Sequence, residues 1–155
     1  MRVAIEEAEL ARSEGEVPVG AVVVSGTGQL LSRRHNQREA LSDPSAHAEL
    51  LAISEAAKRI GSWRCIGCTV IVTLEPCPMC AAALVAARVQ GLVFGASDPK
   101  AGACGSLYNL CSDPRLNWEI PISRGVLAQE TSALLSGFFE SRRNRLPGNL
   151  GPSRD

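Results

Sequence analysis

Apolar and polar positions along the chain alternate between two periods. In residues 2–14, Val3, Ile5, Ala8, Leu10 and Ala11 recur near the helical period among charged neighbours. That spacing predicts an amphipathic helix, and Gly15 ends it. Residues 16–18 (EVP) are a connector. Residues 19–24 are a short, β-branched and nearly unbroken apolar run, the pattern of a strand buried on both faces. A turn at 25–28 (SGTG) leads into a second strand at 29–35, antiparallel to the first. Asp43-Pro44-Ser45 is a stop-and-cap signal for a helix over 46–60, closed by Gly61. Residues 69–74 (TVIVTL) read as a central strand. The next helix, 77–89, has Cys77 in the N-cap place and Pro78 at its first position, where proline is best tolerated. A fourth strand follows at 91–96. Residues 97–110 form a polar, glycine-bearing loop with a short helix near its end. Pro121 confines a weak fifth strand, 119–123, to a sheet edge. Residues 129–143 make a last helix, with Leu134, Leu135, Phe138 and Phe139 on its apolar side. Residues 146–155, with two prolines and two glycines, are expected to be a flexible tail.

Strands alternating with helices predict a layered α/β domain over residues 1–145. A length of 155 residues suits one domain, and the 45% hydrophobic content suits an ordinary core. Sixteen basic and sixteen acidic side chains cancel. That balance argues against a general nucleic-acid coat protein but permits a local basic patch. One such cluster, at 33–38 (RRHNQR), ends the second strand, either as a solvated strand end or as a functional loop. The chain opens directly in a helical pattern, with no signal peptide and no membrane span, so a cytoplasmic, reducing location is expected. There the six cysteines bind metal, catalyse or fill core space.

Cys77 and Cys80 lie three apart at a predicted helix start and face one side of it. The dipole and the free N–H groups of that start favour thiolate, so both are expected to ionise easily. His47 lies about thirty residues upstream in the first turn of another helix, with Glu49 two places beyond it. Two helices that each follow a strand of one sheet in the same direction start at the same edge, which would bring the sites together. Three soft or borderline ligands and one spare carboxylate suit a catalytic zinc, which keeps an open position for water. Residues two apart on a helix point nearly opposite ways, so His47 and Glu49 converge only at the helix end. A closed structural site is the alternative, with Cys65 or Cys68 as fourth ligand. Cys65-Ile66-Gly67-Cys68 could also join Cys104 and Cys111 in a second zinc site, or all four could be buried thiols.

H-A-E followed by P-C-x-x-C resembles the signature of the zinc-dependent nucleobase deaminases. The likeness extends to GEVPVGA at 15–21, DPSAHAE at 43–49, TLEPCPMC at 73–80, DPKAG at 98–102 and LLSGFFESRR at 134–143. Over nearly the whole chain these stretches resemble the bacterial tRNA-specific adenosine deaminases. The resemblance implies a three-layer α/β/α, cytidine-deaminase-like fold with a mixed five-stranded sheet. It implies a homodimer, with one Zn2+ per subunit and water or hydroxide as fourth ligand. It implies that His47, Cys77 and Cys80 hold the metal and that Glu49 shuttles protons. The expected reaction is hydrolysis of adenosine to inosine at the wobble position of a tRNA anticodon stem-loop, an arginine tRNA, with release of ammonia. Asn36 and the backbone N–H of Ala48 are expected to contact the base. Lys100, Ser106, Phe139, Arg142 and Arg143 are expected on the tRNA side. No further protein partner and no membrane are implied. There are two departures from the family pattern. The sequence opens directly in its predicted first helix, where these enzymes commonly carry a short leader before it, and Trp118 follows Asn117 where relatives tend to carry histidine.

Overall fold

A computed structural model describes residues 1–145; the predicted tail at 146–155 lies outside the described residues. The apolar run becomes β1 (Gly20–Val24), buried over its first four residues. It pairs antiparallel with β2 (Leu30–His35) on one side and with β3 (Thr69–Leu74) on the other. β3 pairs parallel with β4 (Gly91–Ala96), and β4 with β5 (Ile122–Ser123). The sheet is therefore mixed, in the order β2-β1-β3-β4-β5. Helices α1 (Arg2–Ser13) and α5 (Ala128–Arg145) cover one face; α3 (Ala48–Ile60) and α4 (Pro78–Ala86) cover the other. The expected three layers are present.

Side-chain alternation on the strands assigns each residue to a layer. Ala21, Val23, Val70 and Val72 meet Ala48, Ala52 and Ala56 of α3 and Ala81, Leu84 and Val85 of α4 in the larger core. On the opposite face α1 presents Ala4, Ala8 and Ala11, all fully buried. This stripe of small side chains lets the α1 backbone lie directly on Gly20, where an added Cβ would come within 2.6 Å of the Ala8 nitrogen. Gly95 is crowded in the same way by Thr131 of α5, with an added Cβ 2.6 Å from Thr131 Oγ1.

The basic cluster at the end of β2 divides by the same alternation. Arg33 and His35 face α1, where both pair with the buried Glu7, and His35 also reaches Glu14. Burial alone would raise the Glu7 carboxyl, but hydrogen bonds with His35 and Arg33 hold it below its ordinary value. Arg34 faces α3 and pairs with Glu55. These three residues staple β2 to its two helices and are not a free basic patch.

Several boundaries differ from those predicted. The helix expected from residue 46 starts at Ala48, because the Asp43 side chain caps its own turn. Its Oδ1 accepts from Ser45 N–H at 2.7 Å and from Ser45 Oγ–H at 2.6 Å. One turn of helix, α2 (Arg38–Leu41), was not anticipated. α4 stops at Ala86, not 89, where Arg88 turns into the left-handed region with φ of 56°. β5 shrinks to two residues: Pro121 has no N–H to donate, although its carbonyl accepts from Leu92 N–H at 3.0 Å. The short helix near the end of the long loop is a 3-10 turn at Leu110–Ser112. Trp118 packs against the larger core and donates its indole N–H to Val89 O at 2.8 Å. No helix among the described residues is long and apolar enough to cross a membrane.

Close approach at Gly20 gives a direct test. Gly20→Ala should cost about 1–3 kcal/mol or more, because the obstacle is helix backbone. Gly137→Ala, in α5 with open space around it, should be neutral or slightly stabilising. Urea unfolding of the two variants checks the contrast.

Candidate metal centre and its cavity

β2 and β3 are both antiparallel to the strand between them, so they run the same way and end at one edge. The chain turns from that edge into α3 and α4, whose starts lie side by side. His47 is the N-cap of α3 and Cys77 the N-cap of α4, both in extended backbone conformation. His47 thus lies just before the first turn, where an extended residue is free of helical spacing. That is how it and Glu49, two residues on, reach the same cavity.

His47 Nδ1 lies 3.5 Å from Cys80 Sγ and 3.7 Å from Cys77 Sγ. A tetrahedral zinc with ordinary bond lengths holds N and S ligands roughly 3.5–3.8 Å apart. The donor set and its spacing fit that ion. Among the described residues, these three form the one group of three or more metal-ligating side chains. Cys65 and Cys68 do not join it as a fourth ligand. Nor do they gather with Cys104 and Cys111, whose sulfurs lie 3.7 Å from each other. All four are buried thiols of the larger core.

The hydrogen bond between the two ligand thiols moves them in opposite directions. Cys77 is lowered to about 4 by the hydrogen bond from Cys80, helped by His47. Cys80 is raised by that same bond and by burial. Sulfurs this close share the first negative charge, and a divalent cation is what offsets the second. Glu49 is buried and lines the cavity, with Cys80 among the groups that act on its carboxyl. Burial pushes its carboxyl up to about 6.

The cavity beside these groups holds about 160 Å³. Val17, Val19 and Leu74 give it apolar walls; Asn36, Arg38 and Asp98 bring polar groups. Ala48 lies against it at the first position of α3, where a helix leaves an N–H without an internal acceptor. Asn36 is buried, and its Nδ2 donates to Glu16 Oε2 at 3.2 Å.

Glu75, at the end of β3, was not singled out in the sequence. It is 2% exposed and accepts from the backbone N–H groups of Asp98, Cys104 and Ser106 at 2.9–3.0 Å, and from the Ser106 hydroxyl. Burial would raise its carboxyl, but these bonds, the Ser106 hydroxyl first, hold it below the ordinary value. It pins the loop after β4 across the cavity. The Ser106 hydroxyl, expected on the tRNA side, donates to Glu75 and helps hold that loop. Lys100 is exposed, outside the cavity lining, and its N–H is engaged by Asp98 Oδ1 at 2.9 Å. On α5, Phe138 is buried and Phe139 is 46% exposed. Arg142 donates to Gly15 O at 2.6 Å, and Arg143 is exposed. Glu16 was missed for the same reason as Glu75: a lone acid just outside a regular element reads as solvated, and only burial marks it.

Removing one ligand tests the centre. Cys80→Ala should lose zinc while the larger core still folds, as read by metal content and by circular dichroism. Full zinc occupancy in that variant would strike Cys80 from the ligand set.

Residues 1–96 match the family described as cytidine and deoxycytidylate deaminase zinc-binding region. The tRNA-specific adenosine deaminase of Bacillus subtilis is 49% identical over 94% of this chain and 89% of that protein. The Haemophilus influenzae enzyme of the same name is 46% identical over 92% of this chain and 83% of that protein. A solved structure from studies of A-to-I editing by tRNA:A34 deaminases at the wobble position of transfer RNA superimposes with a TM-score of 0.84. It is 39% identical and covers 87% of this chain and 97% of its own. Metal-ligand geometry, fold and similarity agree: the chain belongs to the tRNA-specific adenosine deaminases, within the zinc-binding cytidine and deoxycytidylate deaminase family.

Proposed function

We propose that this protein hydrolyses adenosine to inosine at the wobble position of a tRNA anticodon, an arginine tRNA, and releases ammonia. The observation that carries this reading is the three-ligand group with a buried, proton-hungry glutamate beside it, lining a cavity. The similarity to enzymes named for this substrate supports it. His47, Cys77 and Cys80 would hold one zinc per subunit, which when bound would lower the pKa of a water towards neutrality.

The remaining chemistry falls to the chain. Glu49 takes one proton from the attacking water and passes it to the ring nitrogen beside the amino-bearing carbon; it then takes the second from the new C–OH and gives it to the departing amine as the carbonyl forms. A carboxyl pushed up to about 6 is matched to that traffic at neutral pH. Asn36 and the Ala48 N–H hold the base edge; the apolar walls exclude water. A loop base leaves its stack more cheaply than a paired one, so an anticodon loop can deliver it. Lys100 and Arg143 are exposed cations suited to phosphate, and Phe139 is an exposed ring suited to stacking. Arg142, exposed as well, is equally suited to phosphate while it donates to the Gly15 carbonyl beside the cavity. The working form is a cytoplasmic homodimer with no further protein partner.

Glu49→Ala should keep zinc and the fold and lower the deamination rate by a factor of about 10²–10⁴ or more. Wild-type turnover in that variant, measured as inosine by nucleoside analysis, overturns the proton-shuttle role. An arginine-tRNA anticodon stem-loop should yield inosine while free adenosine, cytidine and guanine do not. Turnover of a free base without turnover of the stem-loop moves the chain to the nucleobase deaminases.

A further inference from the structure

We propose that Glu16 is a positioning residue that fixes which end of the Asn36 amide faces the substrate base, and thereby helps set base selectivity. The proposal rests on the adenosine deaminase reading above. Glu16 lies in the connector between α1 and β1, is 2% exposed, and hydrogen-bonds to Asn36 and Ala40, neither of them a metal ligand. A buried carboxylate needs partners, and its two oxygens divide them. Oε1 accepts from the Ala40 N–H at 2.8 Å; Oε2 accepts from Asn36 Nδ2 at 3.2 Å.

An asparagine amide has a donor end and an acceptor end. Both groups around Asn36 Nδ2 are acceptors: Glu16 Oε2, and the Val17 carbonyl at 3.4 Å. Only the NH2 end can face them. Asn36 lines the cavity, so its carbonyl oxygen is the end left for the base. A fixed acceptor favours a base that turns an N–H towards it and repels one that turns an oxygen. The Ala40 contact adds a second effect. Ala40 is the third residue of α2, and the first N–H groups of a helix lack internal acceptors. Glu16 satisfies one of them and so steadies the turn that carries Arg38 to the cavity wall. The connector is fixed from its other side, where Arg142 Nη2 holds Gly15 O and the guanidinium lies 4.7 Å over the Phe138 ring.

Glu16→Gln tests this with almost no change of shape. The new amide can keep the Ala40 contact through its oxygen. It then sets an NH2 against the Asn36 NH2, and Asn36 must flip its donor end into the cavity. Asn36→Asp in the same chain supplies the missing acceptor and returns an oxygen to the cavity. The assay is inosine formation on the arginine-tRNA anticodon stem-loop by zinc-loaded protein, with kcat and KM separated, beside zinc content and unfolding midpoint.

E16Q should lower kcat/KM about tenfold or more, the scale of one misplaced buried hydrogen bond, with zinc content unchanged. N36D alone should also lower it, because it sets two carboxylates against each other. The double variant E16Q/N36D should recover about tenfold over E16Q. Wild-type kcat/KM in E16Q, or a double variant at the product of the two single losses, overturns the proposal. If E16Q melts early, the double variant decides: recovered kcat/KM at the same zinc occupancy supports the proposal, and no recovery overturns it. A wild-type protein that forms no inosine on the stem-loop overturns the adenosine reading and this proposal together. Wild-type turnover beside an unaltered E16Q overturns this proposal alone.

Discussion

β1 runs antiparallel to both of its neighbours, and the position of every group at the metal centre follows from that. Because β1 opposes β2 and β3 alike, those two strands point the same way and end at one edge of the sheet. The chain leaving each end folds back over the same face as α3 or α4. Each helix is preceded by one extended residue at its N-cap, His47 or Cys77. The ligands therefore come from the two most constrained points of the chain, where a strand end and a helix start meet. A register slip in β1 would move both helix starts relative to each other, and the 3.5 and 3.7 Å spacings would be lost.

Three buried glutamates around the cavity show how environment divides one residue type into different roles. Glu75 accepts four hydrogen bonds and stays a carboxylate, anchoring the loop after β4. Glu16 spends its two oxygens on Ala40 and Asn36 and orients a polar wall. Glu49 has less to stabilise its charge: desolvation outweighs its backbone hydrogen bond and raises it to about 6. The acid with the least compensation is the one left free to exchange protons.

Much of this was legible in the amino-acid order because it depends on neighbours in sequence. The β-branched runs, the Pro78 helix start, the Gly61 stop and the H-A-E and P-C-x-x-C spacings are local patterns. What was misread depended on competition between local groups or on distant partners. The Asp43 side chain went to its own turn, so α3 began two residues late. The 33–38 cluster could be read as a solvated strand end or a functional loop until α1 and α3 supplied acids to Arg33, Arg34 and His35.

The sequence by itself determined the elements, the layered α/β class, the donor chemistry and, through resemblance, the family. Those depend on side-chain type and spacing along the chain. Tertiary structure alone decided which acids are buried, which of them keeps its charge, and which end of Asn36 meets the cavity. Burial and electrostatic partnership are properties of groups brought together from distant positions: Glu16 to Asn36, Glu75 to Ser106, Arg142 to Gly15. No spacing in the chain encodes them directly, because they exist only once β1 has set the direction of the strands around it.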